Sequence, residues 1–206
     1  MALSKYHLKH VNRSNEEQAG RGKAKEIELK KILDYTKWQP GHEPVRIAVM
    51  GCADKRFVQQ HRDIFAKFLS KKTELTTFDI TLEHLQGERD LVQHDLTNPL
   101  PGGPFDITFA HVLLKFIGPE RQFDVVKNSY DALRAPGLAI HVFDEHEVTS
   151  KDERLHDGCY PVSLDRIKEK LVEHDITFEE LRWEIDTPDA PTLIRGAKGG
   201  ALILIK

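Results

Sequence analysis

The sequence has few of the residues that would indicate an oxidising or membrane environment. Its 206 residues include two cysteines, Cys52 and Cys159, which form neither a disulfide framework nor a zinc-binding pattern. No apolar run approaches the roughly 18 residues of a membrane span, and no N-terminal apolar segment is typical of a secretory signal. We therefore expect a cytoplasmic protein, in a reducing compartment and without a membrane partner.

An excess of positive charge is also missing from the chain as a whole. The net charge is −3, which is not typical of proteins that bind the phosphate backbone of nucleic acids. Residues 1–40 differ, because they carry nine Lys or Arg against five Asp or Glu. Arg21, Lys23 and Lys25 lack interleaved aromatic residues for base stacking. We interpret this basic arm as a solvated helix face, which makes nucleic acid an unfavoured partner.

The residues that are present suit one sizeable domain with a hydrophobic core. The chain is 39% hydrophobic and 31% charged, without internal repeats or low-complexity segments. We assign residues 1–44 to an N-terminal helical cap and linker, and residues 45–206 to an α/β domain. The sequence leaves the oligomeric state open.

Strand-like and helix-like segments alternate along most of the chain. Strands are predicted at 45–50, 74–78, 89–94, 105–110, 138–143, 177–185 and 201–205, and helices at 16–38, 57–69, 119–134 and 163–174. This order predicts an α/β fold with a seven-stranded, mostly parallel sheet, helices on both faces and an N-terminal helical cap. The polar residues 145–162 are predicted to form a loop or lid.

The turn after the first predicted strand is the strongest indication of a ligand site. Gly51 allows the chain to bend sharply, and Asp54 can cap the next helix or contact a polar ligand. Turns of this kind expose backbone N–H groups at a helix N-terminus, where doubly wound proteins bind cofactors. Asp79 and Asp95 end the next two strand-like runs, so we expect them at the same sheet edge.

Each of these residues also has an ordinary structural interpretation. Gly51 could simply end a strand, and Asp79 and Asp95 could cap the turns that follow them. Cys52 is more typical of a small buried hydrophobe than of a nucleophile. His111, after the fourth predicted strand, could lie at the surface or at the edge of the core.

Potential metal ligands cluster after the fifth predicted strand. They are His141, Asp144, Glu145, His146, Glu147, His156, Asp157 and Cys159. They show no fixed metal-binding spacing, and strand alternation would place His141 and Asp144 on opposite faces. We therefore predict no metal site.

In order and spacing, these motifs resemble those of the S-adenosylmethionine-dependent methyltransferases with a Rossmann-like fold. The likeness covers about residues 45–145 and includes the turn at 51–57, the segment 98–113 and the turn at 133–137. It implies S-adenosylmethionine as the cofactor. The resemblance assigns cofactor contacts to Gly51, Cys52, Asp54, Asp79, Asp95, Leu96 and Ala110. Within this set it implies that Asp79 holds the ribose hydroxyls and that Asp95 and Leu96 meet adenine.

The resemblance also places His111 where the substrate and the transferred methyl group meet. A general base is needed there only if the acceptor must lose a proton, and His111 is our candidate. Residues 16–38 and 145–162 are long enough to cover this edge of the sheet, so we expect them to form the acceptor side.

Three positions around the first turn depart from the family pattern, and Leu138 replaces the second glycine of a later Gly-Gly pair. Val49 replaces an acidic residue, and Ala53 and Lys55 replace two glycines of the turn. We favour a methyltransferase with a small-molecule acceptor. A degenerate binding or scaffold protein and an RNA methyltransferase that uses the basic arm remain the alternatives.

Overall fold

A single β-sheet organises the computed structural model, which describes residues 5–148, 159–186 and 191–206. Its strands within these ranges are β1 Val45–Met50, β2 Thr73–Asp79, β3 Leu91–Gln93, β4 Phe105–His111, β5 Leu133–Asp144, β6 Phe178–Glu184 and β7 Lys198–Ile205. Their order across the sheet is β3-β2-β1-β4-β5-β7-β6. Strand β7 pairs antiparallel with both neighbours, whereas the pairs among β1 to β5 are parallel. The predicted Rossmann-like, mostly parallel seven-stranded sheet is confirmed.

Helices cover both faces of this sheet. In the described residues they are α1 Lys5–Val11, α2 Asn15–Thr36, α3 Lys55–Leu69, α4 Gln122–Asp131 and α5 Leu164–Glu173. Apolar residues of α2 and α3 belong to the core on one face, and those of α4 and α5 to the core on the other. None of these helices has a stretch long and apolar enough to cross a membrane.

The interior strand β1 shows why the sheet has two cores. Ile47 and Val49 pack into the first core, while Ala48 and Met50 pack into the second. Successive side chains of a strand point to opposite faces, so a parallel strand covered on both sides is a continuous apolar run.

Local capping explains where α2 and α3 begin. Ser14 and Glu17 form a reciprocal capping box at the start of α2. Asp54 caps α3, since its carboxylate accepts the backbone N–H of Arg56 at 2.9 Å. The predicted capping role of Asp54 is confirmed.

Several predicted elements differ from those observed. Strand β5 begins at Leu133 rather than near residue 138, so Ala135, Pro136 and Gly137 lie within it, beside a register shift in its pairing with β4. Only a short 3₁₀ turn, Glu83–Leu85, separates β2 from β3, so the alternation of strand and helix is interrupted there. Helix α1 was not predicted.

The buried face of α2 also differs from the apolar face that the spacing of Ile27, Ile32, Leu33 and Tyr35 predicts. Of these residues Ile32 is buried, but Tyr35 is exposed. The helix also buries Gln18, Gly20, Gly22, Lys25, Glu28 and Leu29. The interpretation of the basic arm as a solvated face is therefore wrong at Lys25. The end of the Gln60 side chain in α3 lies against Gly22, where a Cβ would be 2.3 Å from Oε1 of Gln60, so a larger residue at position 22 would displace that side chain.

A buried carboxylate joins β4 to its neighbours at the end of the sheet opposite the predicted ligand edge. Asp106 accepts hydrogen bonds from Nε and Nη2 of Arg134 at 2.8 and 2.7 Å and from the backbone N–H of Arg46 at 2.7 Å. Burial opposes its charge, but these donors lower the pKa of Asp106.

We expect Asp106→Asn to lower the free energy of unfolding by about 3 kcal/mol at neutral pH, because it leaves Arg134 with an uncompensated charge. The difference from the wild type should shrink on acidification, since a carboxyl with a lowered pKa loses its stabilisation as it protonates. Urea denaturation at several pH values measures both effects. Asp131→Asn removes an exposed ion pair with Lys127 and should change stability by less than about 0.5 kcal/mol. Equal losses in the two variants would contradict this role of Asp106.

Candidate functional site

The carboxylate of Asp79 connects the ends of β1 and β2. It is 5% exposed, and its Oδ2 accepts the backbone N–H of Cys52 at 2.8 Å while its Oδ1 accepts that of Thr81 at 3.2 Å. A carboxylate has about four acceptor positions, so two remain for a further donor. The structure therefore brings Gly51, Cys52 and Asp79 together at one edge of the sheet.

The turn itself requires glycine at position 51. Gly51 has a φ of +78°, and a Cβ there would lie 2.9 Å from Cδ1 of Leu113. Ala53 and Lys55 are not in left-handed conformations, and Lys55 is the exposed first residue of α3. The two replaced glycines of the family pattern therefore do not strain this turn.

Cys52 and Asp54 support the turn from within. The Cys52 thiol is buried, donates to the carbonyl of Asp54 at 3.3 Å, and has its pKa raised to about 12 by burial. A thiol of this kind is not a nucleophile at neutral pH. The Asp54 carboxylate accepts from Nε2 of Gln18 at 2.7 Å and from the guanidinium of Arg56, so it attaches α2 to the turn.

The predicted adenine contacts lie outside this cluster. Asp95 is exposed, and its carboxylate accepts the backbone N–H and the hydroxyl of Thr97. The Leu96 side chain is buried among the apolar residues beneath α4 and α5. These positions share the edge of the sheet with Asp79, but the structure shows no direct contact that unites them with it.

At the end of β4, Ala110 is buried and His111 contacts the N-terminal helical region. His111 Nε2 lies 2.7 Å from a carboxylate oxygen of Glu28 in α2. The next residue, Val112, has a φ of +55°, a conformation that is strained for a β-branched side chain. Strain of this kind is often found at functional sites.

Burial favours the uncharged forms of both Glu28 and His111. It raises the pKa of Glu28 to about 7 and lowers the pKa of His111 well below its usual range. Lys25, 8% exposed, lies 4.7 Å from the Phe57 ring centroid, and burial lowers its pKa to about 8. This edge of the sheet therefore contains groups that exchange protons near neutral pH.

Helix α1 covers the rest of the edge. His7 lies over His84, with ring centroids 4.3 Å apart, and burial followed by the nearby His84 lowers the pKa of His7. The Arg56 guanidinium also donates to the carbonyls of His10 and Arg13, at 3.2 and 3.1 Å. A cavity of about 220 Å³ remains, lined by Val11, Asp54, Lys55, Arg56 and His84.

Among the described residues, the potential metal ligands after β5 do not form one cluster, because His141 does not belong to the group of Asp144, His146 and Glu147. His141 is buried, with Nε2 2.8 Å from the Ser129 hydroxyl, and burial lowers its pKa to about 4. Asp144 and Glu147 lie beside Lys115 instead. His156 and Asp157, with most of the predicted loop, lie outside the described residues.

The site also contains five residues that the sequence patterns did not indicate: His7, Gln18, Lys25, Glu28 and His84. Within α2, the polar members continue the buried stripe of Leu29 and Ile32 at helical spacing. That spacing, with glycines on the same face, was the available signal. Nothing in the sequence connects His7 with His84.

Comparison with known proteins supports the fold through solved structures, while the sequence comparisons found no match. No protein-family model matches the chain, and a search of curated proteins found no match. Among solved structures, a SAM-dependent methyltransferase from Archaeoglobus fulgidus aligns with a TM-score of 0.61 at 14% identity, over 90% of this chain and 94% of that one. At an identity this low, the structural alignment shows a shared fold alone.

Two further structures of this fold were solved with ligands. LepI in complex with SAM aligns with a TM-score of 0.58 at 12% identity, over 86% of this chain and 46% of LepI. NodS, an N-methyltransferase from Bradyrhizobium japonicum crystallised with S-adenosyl-L-homocysteine, aligns with a TM-score of 0.50 at 12% identity, over 79% of this chain and 78% of NodS. The chain therefore has the fold of S-adenosylmethionine-dependent methyltransferases.

We expect Gly51→Ala to destabilise the protein more than Gly102→Ala. Both glycines have a φ of +78°, so each alanine incurs a backbone cost of about 1–2 kcal/mol. Only position 51 adds a contact with Leu113, since nothing lies within 4 Å of a Cβ at position 102. Thermal and urea unfolding measure the difference. Equal effects would show that the Leu113 side chain moves aside without a cost in stability.

The raised pKa of Glu28 predicts a distinctive dependence of stability on pH. The folded protein retains a proton that the unfolded chain releases, so its stability falls as the pH rises from the usual glutamate range to about 7. Glu28→Gln should remove that fall, and so gain about 1–3 kcal/mol relative to the wild type between pH 5 and 8.

Glu26→Gln is the matched control for this prediction. Hydrogen bonding to Lys67 lowers the pKa of Glu26, so the stabilisation by its carboxylate is lost only below the usual glutamate range, and Glu26→Gln should leave the fall in stability above that range unchanged. Parallel stability curves for wild type and Glu28→Gln would contradict the raised pKa of Glu28.

Proposed function

We propose that this chain is an S-adenosylmethionine-dependent methyltransferase with a small-molecule acceptor. The observation that carries the proposal is the Asp79 carboxylate, which is buried at the end of β2 and bound to the glycine turn after β1. The fold of the neighbours crystallised with SAM or S-adenosyl-L-homocysteine supports the same cofactor.

The donor and acceptor chemistry of the edge fits this cofactor. The unused acceptor positions of Asp79 suit the two ribose hydroxyls, and Gly51 allows close approach of the backbone. Cys52, Asp54, Asp95, Leu96 and Ala110 complete the proposed contacts. Burial leaves the side chains of Leu96 and Ala110 little access to a ligand, so backbone groups are the parts of these residues that we assign to binding.

The size of the covered site indicates that the N-terminal helices move during binding. Pockets for drug-sized ligands have volumes of about 300–1,000 Å³, whereas the cavity beneath α1 measures about 220 Å³. The α1 contacts with Arg56 and His84 would have to open to admit the whole cofactor. Enclosure by α1 and α2 also favours a small acceptor over a folded macromolecule.

S-adenosylmethionine, when bound, supplies a methyl group that is already activated on its sulfonium. The protein then has to align the acceptor and exclude water. We assign His111 as the base for acceptors that must lose a proton, with Glu28 as its positioning residue. Lys25, lowered in pKa and close to Glu28, would bind or orient an anionic acceptor group.

Calorimetric titration with S-adenosylhomocysteine tests the proposal. We expect Asp79→Asn to weaken binding by about tenfold or more, because charge-assisted hydrogen bonds to the ribose contribute about 1.5–3 kcal/mol each. Asp63→Asn is a matched control, since Asp63 is exposed on α3 and its contact with Gln59 lies away from the edge. Melting curves would show whether Asp79→Asn retains the wild-type fold.

Other outcomes would identify the alternatives. A wild type that binds no S-adenosylhomocysteine at millimolar concentration would favour a binding or scaffold protein and overturn the proposal. Cofactor binding with methyl transfer to RNA, but to no small acceptor, would overturn the proposed acceptor class. The burial of Lys25 and the pairing of Lys23 with Glu26 make α2 a poor phosphate-binding surface.

A further inference from the structure

Three potential metal ligands from separate parts of the chain converge beside the glycine turn. They are His7 in α1, Asp79 at the end of β2 and His84 in the 3₁₀ turn that follows. One ligand atom of each lies within 4.8 Å of the others. Nitrogen and oxygen ligands bind first-row divalent metals at about 2.0–2.2 Å, so a small contraction would bring the three onto one ion.

The ring of His84 has the hydrogen bonding of a metal ligand. Its Nε2 lies 2.6 Å from the carbonyl oxygen of Cys52, and a carbonyl only accepts, so Nε2 carries the proton. This leaves the lone pair on Nδ1, which is buried and has no hydrogen-bond partner among the described residues. His84 is only 7% exposed, and an unsatisfied buried polar atom costs about 1–3 kcal/mol.

A hydrogen bond from one ring nitrogen to a backbone carbonyl commonly orients the other nitrogen of a histidine toward a metal. Asp79 is oriented in the same way, because the N–H groups of Cys52 and Thr81 fix its carboxylate and leave lone pairs unused. Two of the three ligands are therefore positioned by backbone hydrogen bonds.

We propose that His7, Asp79 and His84 bind a divalent transition-metal ion, for which Zn²⁺ is a suitable probe, and that this ion holds α1 closed over the sheet edge. Two imidazoles and one carboxylate suit zinc and its neighbours in the first row, with a remaining position for water. The ion and the cofactor would share Asp79, so they exclude each other. The metal site does not depend on the proposed function, whereas the mutual exclusion of ion and cofactor rests on it.

The second cluster of metal-ligand residues is less suited to a cation. Asp144, His146 and Glu147 also bring their ligand atoms within 4.8 Å of one another. However, the ammonium group of Lys115 pairs with Glu147 and lies 4.0 Å from Asp144. A positive charge already occupies this cluster and would repel a second one.

Titration of the metal-stripped wild type with Zn²⁺, followed by calorimetry, tests the site. We expect one equivalent to bind, and His84→Gln and His7→Gln each to weaken binding by at least about 100-fold, because even outer-shell changes cost 10–100-fold. His94→Gln is the matched control, since His94 lies at the neighbouring strand end and contacts the Asn98 carbonyl instead. The His7 variant alters a partly exposed helix residue and preserves the core.

Hydrogen exchange and competition give independent results. Zn²⁺ should slow exchange in α1 of the wild type but not of His7→Gln. It should also weaken S-adenosylhomocysteine binding, and by linkage the cofactor product should weaken Zn²⁺ binding by the same factor. In His84→Gln, Zn²⁺ should no longer affect S-adenosylhomocysteine binding.

The two proposals fail in distinguishable ways. Absence of Zn²⁺ binding by the wild type, or binding that both histidine variants retain, overturns the metal site whatever the cofactor does. Failure of the metal-free wild type to bind S-adenosylhomocysteine overturns the proposed function, while the Zn²⁺ titration and α1 exchange still decide the metal site. Simultaneous binding of both without mutual weakening overturns the proposed exclusion.

Discussion

The geometry of the candidate site depends on one carboxylate with two backbone partners. Asp79 fixes the turn after β1 through Cys52 and the start of the next segment through Thr81. A buried carboxylate is stable only where donors replace its lost hydration, and here the donors are the N–H groups of the loops that it organises. The site and the local fold therefore stabilise each other, and Asp79 is the residue that the proposed cofactor and the proposed metal ion share.

The region around α2 illustrates a second constraint, the cost of burying ionisable groups. Lys25, Glu28, His111 and His61 approach one another at the sheet edge, and both ring nitrogens of His61 have no hydrogen-bond partner among the described residues. Burial lowers the pKa of both histidines and of Lys25 and raises that of Glu28. Replacing buried ionisable groups with well-packed apolar side chains is often neutral or stabilising, so stability alone does not explain why this region contains them.

Sequence periodicity predicted the sheet because parallel strands buried on both faces are nearly continuous apolar runs. It also located the Gly51 turn and the Asp79 position, since a glycine and a strand-end carboxylate are local signals. It failed for α2, where a buried helix face includes Lys25 and Glu28, because the side chains that contact them, Phe57 and His111, are distant in the chain. His7 and His84 illustrate the same limit, since only the folded chain brings α1 onto the turn after β2. Strand β5 was predicted too short because Pro136 and Gly137 usually mark a turn.

The position of β7 between β5 and β6 has a consequence for biosynthesis. Strand β6 leaves the ribosome before β7 but reaches the sheet only by pairing with it. During translation β6 therefore remains unpaired until β7 is made, and an unpaired strand is a template for association with other chains. Its sequence, Phe-Glu-Glu-Leu-Arg-Trp-Glu, carries four charged side chains in seven residues. These charges oppose pairing of β6 with other chains before β7 is available.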